Sequence, residues 1–421
     1  MHIASDTRTR AEEVMARCRK LATFSEDYGS IRRTFLSPPM RDCYHEIAHW
    51  MEHLDMQVRI DAAGNLRGFY AATQSHAPRL LLGSHLDTVP NAGAYDGVLG
   101  VVLAISLLEA LDGRKLAYGI EVVGFSEEEG VRFGVPFIGS RALVGRLDDE
   151  LLKVQDARGI SVQKAIEEFG LNPAQMPDAC VTKEYLGYVE FHIEQGPVLE
   201  KLGLPIAVVD SIAGQTRLQM TFFGRGNHAG TTPMDLRHDS LAGAAEFISA
   251  VERLAGKIQG LVATVGQVEA KPGATNVIAA KTRLTLDIRH RSDPTRTQAV
   301  DDLVEQAGEI AKRRGLTMEW KSMLDQRAVP MDSLLVDEIA RAMEATGCAP
   351  HRMMSGAGHD AMILAEKIPA AMIFLRSPAG ISHDPAESVA VEDVEKAIEC
   401  GLHLLDQLAS SPALHERMCR A

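Results

Sequence analysis

The stretch that decides the fold is RLLLGSHLDTVPNAGAYDGVLGVVLAISLLEAL, residues 79–111. It begins with an apolar run, 79–83, that predicts a buried strand, and residues 97–111 have helical periodicity. A further apolar strand is predicted at 119–125. Strands that alternate with helices in this way predict a mixed or parallel sheet, and sites in such sheets lie at the carboxyl ends of the strands.

A different pattern covers residues 213–329. Its elements follow the order strand, helix, strand, strand, helix, strand, which is typical of a small ferredoxin-like α/β sandwich. We predict strands at 217–223, 261–268, 276–289 and 316–321 and helices at 241–254 and 297–312. The first pattern resumes afterwards with the segment 333–345, a strand at 370–375 and a helix from 391. The sequence therefore predicts one domain formed by 1–212 and 330–421, interrupted by a second at 213–329.

Composition narrows the class of protein. A chain of 421 residues, 46% hydrophobic and 24% charged, is long enough for two or three domains of ordinary globular type. The 44 basic against 57 acidic residues give a net charge of −13, which repels phosphate backbones and anionic membranes. We therefore expect neither nucleic acid nor a membrane as partner.

Targeting signals and cysteine usage indicate the cellular compartment. The longest apolar run, 98–108, is far short of the roughly 20 residues of a membrane-spanning helix. Residues 1–10 carry no apolar signal core, and the six cysteines are scattered without pairwise spacing. A reduced, cytoplasmic protein is expected.

Several residues of metal-ligand type follow predicted strands or lie in loops. They are His85 with Asp87, Asp96, the run Glu127-Glu128-Glu129, His192 and His383. Each alone is a weak signal, because a buried histidine is more often a core or capping residue and an acidic triplet is usually a solvated face. Their common position at strand ends favours a metal site.

The local chemistry of these residues supports specific roles. A carboxylate two residues after His85 could fix the tautomer of a metal-bound imidazole. Asp96 beside Gly97 could bridge two metals, although a simple helix N-cap is favoured on that pair alone. Three adjacent carboxylates are costly unless a cation relieves them, so one could ligate while its neighbour acts as general base.

A competing motif lies upstream, where residues 45–49 read HEIAH and fit the HExxH pattern of zincins. His53 extends the spacing. The motif also lies on a helix with an apolar face, and no obvious third ligand follows it. We favour a structural interpretation of His45 and His49 over a zincin peptidase.

Seven motifs occur in order between residues 83 and 387: GSHLDTVPNAGAYDG, SEEEGVRF, FHIEQGPVLE, GQTRLQMTFFGRGNHAGTTPMDLRHD, TNVIAAKTRLTLDIRH, MMSGAGHDA and GISHDPAE. With them the chain resembles the hydantoinase/carbamoylase branch of the zinc-dependent aminoacylase and carboxypeptidase superfamily. That branch holds N-carbamoyl-L-amino acid hydrolases, β-ureidopropionases and allantoate amidohydrolases. The resemblance implies a mixed-sheet, zinc-exopeptidase-like α/β catalytic domain with an inserted ferredoxin-like lid and dimerisation domain.

The resemblance also implies a site with two divalent metal ions per subunit, Zn²⁺ or Mn²⁺. It assigns His85 and His192 to one ion, Glu129 and His383 to the other, and Asp96 to both. Glu128 becomes the general base. Peptidase relatives usually have a carboxylate where this chain has His192, which favours the branch that hydrolyses ureido groups.

Substrate contacts are likewise implied by the resemblance, at Gln195, Arg217, Asn276, Arg289, Gly358 and His359. His228 resembles a residue that reaches the partner's active site across a homodimer. From the residues alone Arg289 could be a surface cation and Asn276 a turn residue, and His228 and His359 could be solvated loop residues. For Arg217 a surface position on a strand edge and a substrate contact are equally acceptable.

The expected reaction is hydrolysis of a ureido C–N bond in a small carboxylate substrate, with release of ammonia and carbon dioxide. The stretch around Arg217 resembles allantoate amidohydrolases, so allantoate is the first expectation and an N-carbamoyl-L-amino acid the second. A dipeptidase or aminoacylase of the same superfamily is a weaker alternative.

Overall fold

The computed structural model describes residues 3–182 and 184–411. The chain forms two compact units. The main unit comprises, among the described residues, 3–210, 331–353 and 357–411, and the inserted unit comprises 211–330 and 354–356. None of the described helices is long and apolar enough to cross a membrane.

Helices and short runs of strands alternate along the described chain. The helices are α1 Ile3–Leu21, α2 Pro38–Glu52, α3 Val98–Ala110, α4 Ile138–Val144, α5 Asp149–Lys153, α6 Val162–Glu168, α7 Val198–Leu202, α8 Ser240–Ala255, α9 Asp293–Arg313, α10 Ser333–Ala345, α11 Asp360–Leu364 and α12 Val391–Ser410. The strands are β1 Gln57–Ile60, β2 Leu66–Tyr70, β3 Arg79–His85, β4 Gly119–Phe125, β5 Tyr185–Ile193, β6 Ile206–Ile212, β7 Gly214–Phe223, β8 Val262–Thr264, β9 Val268–Lys271, β10 Lys281–His290, β11 Thr317–Gln326, β12 Val329–Pro330, β13 Arg352–Ser355 and β14 Ala370–Leu375.

The larger sheet is mixed and has nine strands, in the order β1-β2-β4-β3-β5-β14-β6-β12, with β13 also paired to β6. Strand β3 is parallel to β4 and β5, and β14 is parallel to β5. Helix α3 is buried from Val98 to Leu108 because it is apolar on all sides, and it packs on β3, β4 and β5 as well as on α1 and α12. The carboxyl ends of four neighbouring parallel strands therefore meet at one edge of this sheet.

The inserted unit holds an antiparallel sheet in the order β11-β7-β10-β8, with β9 paired to β10. Side chains of β7 and β10 alternate between buried and exposed positions. The buried set, which includes Leu218, Phe222 and Ile288, packs with α8 and α9 in one apolar core. The opposite face of β7 and β10, which we call the polar face, carries Gln215, Arg217, Asp287 and Arg289 among its residues.

Most predicted elements occur in the structure, and the α/β class with an inserted lid domain is confirmed. The predicted strand 261–268 is wrong in detail, since β8 and β9 are separate and the backbone N–H of Thr285 donates to the carbonyl of Gln267 between them. The predicted strand 276–289 starts too early. Val277 forms only an isolated bridge with His228, and the ladder of β10 begins at Lys281.

The division of the chain differs slightly from the predicted boundaries at 212 and 330. The inserted unit begins at Ser211, ends at Pro330 and also includes residues 354–356. Within it the carbonyl of Ser355 accepts a hydrogen bond from the backbone N–H of Ala213, at 2.9 Å. A contact so remote in sequence leaves no periodic signal in the chain.

Candidate active site

The predicted metal ligands of the main unit lie at one edge of its sheet. His85 is the last residue of β3, and Glu128 and Glu129 follow the end of β4. His192 lies near the end of β5, and His383 lies in the loop after β14. Because these four strands are parallel neighbours, the fold brings together residues that are far apart in sequence.

Asp96 lies between two groups of possible ligands. Its Oδ1 is 3.3 Å from Nε2 of His192 and 4.0 Å from Nε2 of His85. Its Oδ2 is 3.1 Å from Nε2 of His383, which lies 3.4 Å from Oε1 of Glu129. One carboxylate is therefore shared, with one oxygen toward each group.

Gly97, which precedes α3, lets the backbone approach His85 closely. Its φ is +67°, and a Cβ at this position would lie 2.4 Å from the His85 ring. Any side chain here would displace the imidazole. This geometry agrees with the prediction, made from the Asp96-Gly97 pair, that the backbone takes an unusual turn beside Asp96.

The tautomers of the two buried histidines suit metal binding. Nδ1 of His85 lies 3.0 Å from the carbonyl oxygen of Asp87, and Nδ1 of His192 lies 2.9 Å from that of Ile193. A carbonyl can only accept, so each Nδ1 carries the proton and, in the neutral ring, each Nε2 presents a lone pair. The two Nε2 atoms are 3.5 Å apart. This is the arrangement that metal-ligating histidines usually adopt.

The carboxylate of Asp87 was predicted to fix the tautomer of His85, but its hydrogen bonds go elsewhere. Its carboxylate is 3.5 Å from Nδ1 of His85, farther than its own carbonyl. The carboxylate oxygens instead accept hydrogen bonds from the backbone N–H groups of Glu128 and Glu129, at 2.9 and 3.0 Å. Asp87 thus ties the end of β3 to the acidic loop after β4.

The charges of the cluster shift its titration strongly. Burial raises the pKa of Glu128 well above its usual value, and the neighbouring carboxylate of Glu129 adds to the shift. Burial alone would lower the pKa of His85, but the nearby carboxylates of Asp87, Glu128 and Asp96 raise it well above the ordinary value. Hydrogen bonds to Asp96 and Glu129 raise the pKa of His383 to about 10. These shifts indicate buried negative charge that attracts cations.

Gln195 extends toward the same group of ligands. Its Nε2 donates to both oxygens of Asp96 at 3.1 Å and to Oγ of Ser382 at 3.2 Å. The φ angles of Gln195 and His383 are +57° and +56°, in the left-handed region that non-glycine residues rarely adopt. Such backbone strain is often found where side chains must be aimed at a site.

His359 and Gly358 also lie in the main unit. The His359 ring is buried, and its centroid is 4.5 Å from that of His192. Burial lowers the pKa of His359 well below its usual value, and the nearby His192 lowers it further. Gly358 leaves room for Phe137, whose ring would lie 3.0 Å from an added Cβ.

Two carboxylates beside the cluster were not predicted. Glu190 is fully buried and forms a fourth group of possible ligands with His192 and His359. Glu387 accepts hydrogen bonds at 3.0 Å from the backbone N–H groups of both Tyr95 and Asp96, and so fixes the turn that carries Asp96. Glu190 lies two residues before His192 in an apolar strand, a spacing that puts both on one face and could have been used.

The remaining predicted residues lie in the inserted unit. Nδ1 of His228 accepts a hydrogen bond from the backbone N–H of Gly230 at 3.1 Å, so in the neutral ring Nε2 carries the proton. The carbonyl of Asn276 accepts from the N–H of Ala229, at 2.9 Å. Arg217 and Arg289 both donate to the carboxylate of Asp287. The inserted unit therefore presents hydrogen-bond donors, unlike the main-unit cluster.

The HExxH motif does not form such a cluster. His45, His49 and His53 are exposed on and after α2, while Ile47 and Met51 are buried on its other face. The groups of possible ligands found among the described residues are all elsewhere. The motif is part of an amphipathic helix, in agreement with the structural interpretation.

A mixed α/β sheet whose parallel strands end in buried imidazoles and carboxylates, together with an inserted antiparallel domain, defines a metal-dependent hydrolase. The family model of peptidase family M20/M25/M40 matches residues 81–407. The chain belongs to this family, in its hydantoinase/carbamoylase branch, and is a metal-dependent amidohydrolase acting on C–N bonds.

Relatives span most of the chain. It is 38% identical to allantoate deiminase of Arabidopsis thaliana, over 95% of this chain and 82% of the relative. It is also 38% identical to N-carbamoyl-L-amino acid amidohydrolase of Geobacillus stearothermophilus, over 90% and 94%.

Solved structures of similar proteins also cover most of the chain. The amidase of the hydantoinase/carbamoylase family from Burkholderia multivorans superimposes with a TM-score of 0.90 at 29% identity, over 96% of this chain and 98% of that one. The structure of AtUAH in complex with glyoxylate has a TM-score of 0.75 at 31% identity, over 95% and 98%.

Proposed function

We propose that this protein hydrolyses the ureido C–N bond of a small carboxylate, with allantoate as the preferred substrate. The observation that carries the proposal is the sharing of Asp96 between two groups of ligands, with Glu128 beside one of them. Relatives of similar identity are named allantoate deiminase and N-carbamoyl-L-amino acid amidohydrolase, and both names refer to ureido compounds. An N-carbamoyl-L-amino acid is the second candidate.

The donor set fits two divalent ions. His85 and His192 offer Nε2 lone pairs to one position, His383 and Glu129 serve the other, and Asp96 has an oxygen toward each. Imidazole and carboxylate ligands suit Zn²⁺ and also Mn²⁺. Such ions would supply Lewis acidity toward the scissile carbonyl and lower the pKa of a water molecule.

The protein's own groups would then direct the proton transfers. The Glu128 carboxylate accepts a proton from the attacking water, whose oxygen bonds to the carbamoyl carbon. The C–N bond breaks as Glu128 returns that proton to the leaving amine, and the released carbamate decomposes to carbon dioxide and ammonia. Arg289 and Asn276 hold the substrate carboxylate, for which a planar guanidinium offers two parallel donors.

His228 is proposed to stabilise the oxyanion in the partner subunit of a homodimer. Its tautomer supports this role, because an exposed Nε2–H can donate to developing negative charge. Mixing inactive His228→Ala and Glu128→Gln chains should restore activity, since some heterodimers carry one site with both groups intact. No recovery after verified subunit exchange would exclude the role across the dimer.

A substrate panel tests the main proposal. Purified enzyme is stripped of metal, reconstituted with Zn²⁺ or Mn²⁺, and assayed for ammonia release from allantoate and N-carbamoyl-L-methionine, and for hydrolysis of an N-acyl amino acid and a dipeptide. We expect both ureido compounds to be hydrolysed, allantoate with the higher kcat/KM. Activity confined to the acyl or peptide substrates would overturn the proposed reaction, and activity on N-carbamoyl-L-methionine without allantoate would overturn only the preference. A cytoplasmic location belongs to the same proposal and is tested by cell fractionation.

A further inference from the structure

Asp287, a residue for which the sequence predicted no role, is the centre of the arginine cluster on the polar face of the inserted unit. Strands β7 and β10 pair so that Asp287 stands opposite Arg217, and Arg289 stands opposite Gln215. Side chains opposite one another in an antiparallel pair have Cβ atoms about 5 Å apart, and diagonal neighbours remain within reach of long side chains. The register therefore puts one carboxylate between two guanidinium groups.

The carboxylate of Asp287 accepts hydrogen bonds from the side of each guanidinium that faces it, which we call the inner edge. Nε and Nη2 of Arg289 donate to its two oxygens, at 2.8 and 3.1 Å, as a parallel pair of hydrogen bonds. Nε of Arg217 donates to Oδ2 at 2.9 Å, and Nε2 of Gln215 donates to the same oxygen at 2.6 Å. Charge-assisted bonds of this kind are strong: the parallel pair fixes the guanidinium plane of Arg289, and the single bond through Nε orients Arg217.

The outer edges of the two guanidiniums remain available. Nη1 of Arg289 also donates to the carbonyl of Gly356, at 2.6 Å, which leaves one N–H on each of its terminal nitrogens. Arg217 is 52% exposed, and its terminal nitrogens have no hydrogen bond among those described for the residues of the structure. Both free edges are donors only, so whatever they bind must supply acceptor atoms.

We propose that Asp287 is a positioning residue that aligns Arg217 and Arg289 as a pair. The aligned pair then selects substrates that carry two acceptor groups. The inference rests on the proposed ureido hydrolysis. Arg289 binds the carboxylate of the substrate, and Arg217 binds a second carbonyl or carboxylate of the same substrate. Allantoate offers its second ureido carbonyl to Arg217, whereas N-carbamoyl-L-methionine has only an apolar side chain there.

The alternative is that Asp287 merely stabilises the sheet as a cross-strand ion pair. A structural role would change the amount of folded enzyme and would act on all substrates equally. A positioning role predicts instead a change in KM and in the ratio of kcat/KM between two substrates. That ratio, measured on one preparation, does not depend on the fraction of active enzyme.

The experiment uses the full-length, metal-loaded enzyme and the variants Asp287→Asn, Arg217→Leu and both together, each assayed with allantoate and N-carbamoyl-L-methionine. We expect Asp287→Asn to raise KM by roughly 10-fold for allantoate and by less for N-carbamoyl-L-methionine, with kcat within about 3-fold, because both arginines lose the carboxylate that orients them. The preference for allantoate should fall as well. In the Arg217→Leu background, Asp287→Asn should no longer change that preference, because only Arg289 remains to be misaligned.

Asp325→Asn is the matched control. Asp325 lies in the same sheet and accepts its described hydrogen bonds from Arg296 and Thr216 rather than from Arg217 or Arg289. We expect its KM values and substrate preference to stay near wild type. Equal loss for both substrates in Asp287→Asn, or an unchanged KM, would overturn the positioning role, whereas a wild-type enzyme that hydrolyses neither ureido compound would overturn the proposed function itself.

Discussion

Both units of this protein contain histidines in polar surroundings, but they use them for opposite purposes. In the main unit, buried histidines and carboxylates lie at the ends of parallel strands, and His85 and His192 present lone pairs from Nε2. In the inserted unit, partly exposed arginines lie on a sheet face, and His228 presents a proton from Nε2. One hydrogen bond at Nδ1 decides which form each histidine takes.

The difference teaches that residue type alone does not define a site. The main-unit cluster concentrates acceptors and negative charge, which suits cations and proton transfer. The inserted-unit cluster offers donors, which suits recognition of carboxylate and carbonyl groups. Mutations in the first should therefore act on metal content and kcat, and mutations in the second on KM and substrate preference.

The largest effect is expected for Asp96→Ala. Asp96 is shared between both groups of ligands, so its loss should remove both metals and lower activity by roughly 10³-fold or more. Elemental analysis of the purified variant measures the metal content. The double variant His45→Ala/His49→Ala is the control and should keep about two ions per chain. Retention of both ions and of activity in Asp96→Ala would refute the shared role.

Glu128→Gln should have the next largest effect. Glutamine keeps the size of the side chain but cannot accept the proton, so we expect near-normal metal content and a turnover reduced by roughly 10² or more. Steady-state kinetics together with metal analysis check both statements. A turnover close to wild type would transfer the base role to Glu127 or to another group.

Arg217→Leu should change selectivity rather than chemistry. An unpaired ureido group costs about 1 to 3 kcal/mol, so kcat/KM for allantoate should fall by roughly 10-fold relative to N-carbamoyl-L-methionine. Competition of the two substrates in one reaction measures this ratio directly. Equal losses for both would mean that Arg217 does not contact the second ureido group.

The smallest expected effect is on the pH dependence of stability in chelator-treated, metal-free protein. The pKa of His383 is raised to about 10, so its stabilising contribution is complete below about 6.5 and is lost as pH rises toward 10. Asp287 behaves in the opposite way. Burial alone would raise its pKa, but hydrogen bonds from Arg289 and Arg217 lower it, so its contribution is lost only as pH falls below about 3.9.

Urea denaturation of the metal-free protein between pH 6.5 and 9.5 tests this contrast. The wild-type midpoint should decrease across the window, and His383→Ala should flatten the decrease. Asp287→Asn should leave the slope unchanged. A wild-type midpoint that increases with pH, or an equal slope in His383→Ala, would contradict the assignment.

The sequence predicted the strands and the site residues correctly where short local patterns determine them. The apolar runs at β3 and β4, each followed at once by ligand-type residues, predicted both the strands and the edge at which His85 and Glu129 meet. Exposure of His49 on α2 likewise follows from helical periodicity. In these places the nearest neighbours in sequence determine the structure.

It failed where a partner distant in sequence decides the outcome. Asp287 gained its partners from the register of β7 against β10, which no single strand encodes. Residues 276–278 were predicted as strand but bond to the loop around residue 228 instead. The tautomers of His85 and His228 depend on single hydrogen bonds that no periodicity reports.

The interruption of the main unit by the inserted one also has a consequence for synthesis. His85, Asp96, Glu129 and His192 emerge from the ribosome before residue 211, but β14 and His383 follow the whole inserted unit. At about 5 to 20 residues per second, the roughly 190 residues between His192 and His383 take on the order of 10 to 40 seconds to translate. During that interval the nascent chain carries four of the five proposed metal ligands, and one edge of β5 lacks its partner strand β14. Loading of the position that needs His383 therefore belongs to the last seconds of translation or after it, and a chain that ends within the inserted unit would lack this ligand.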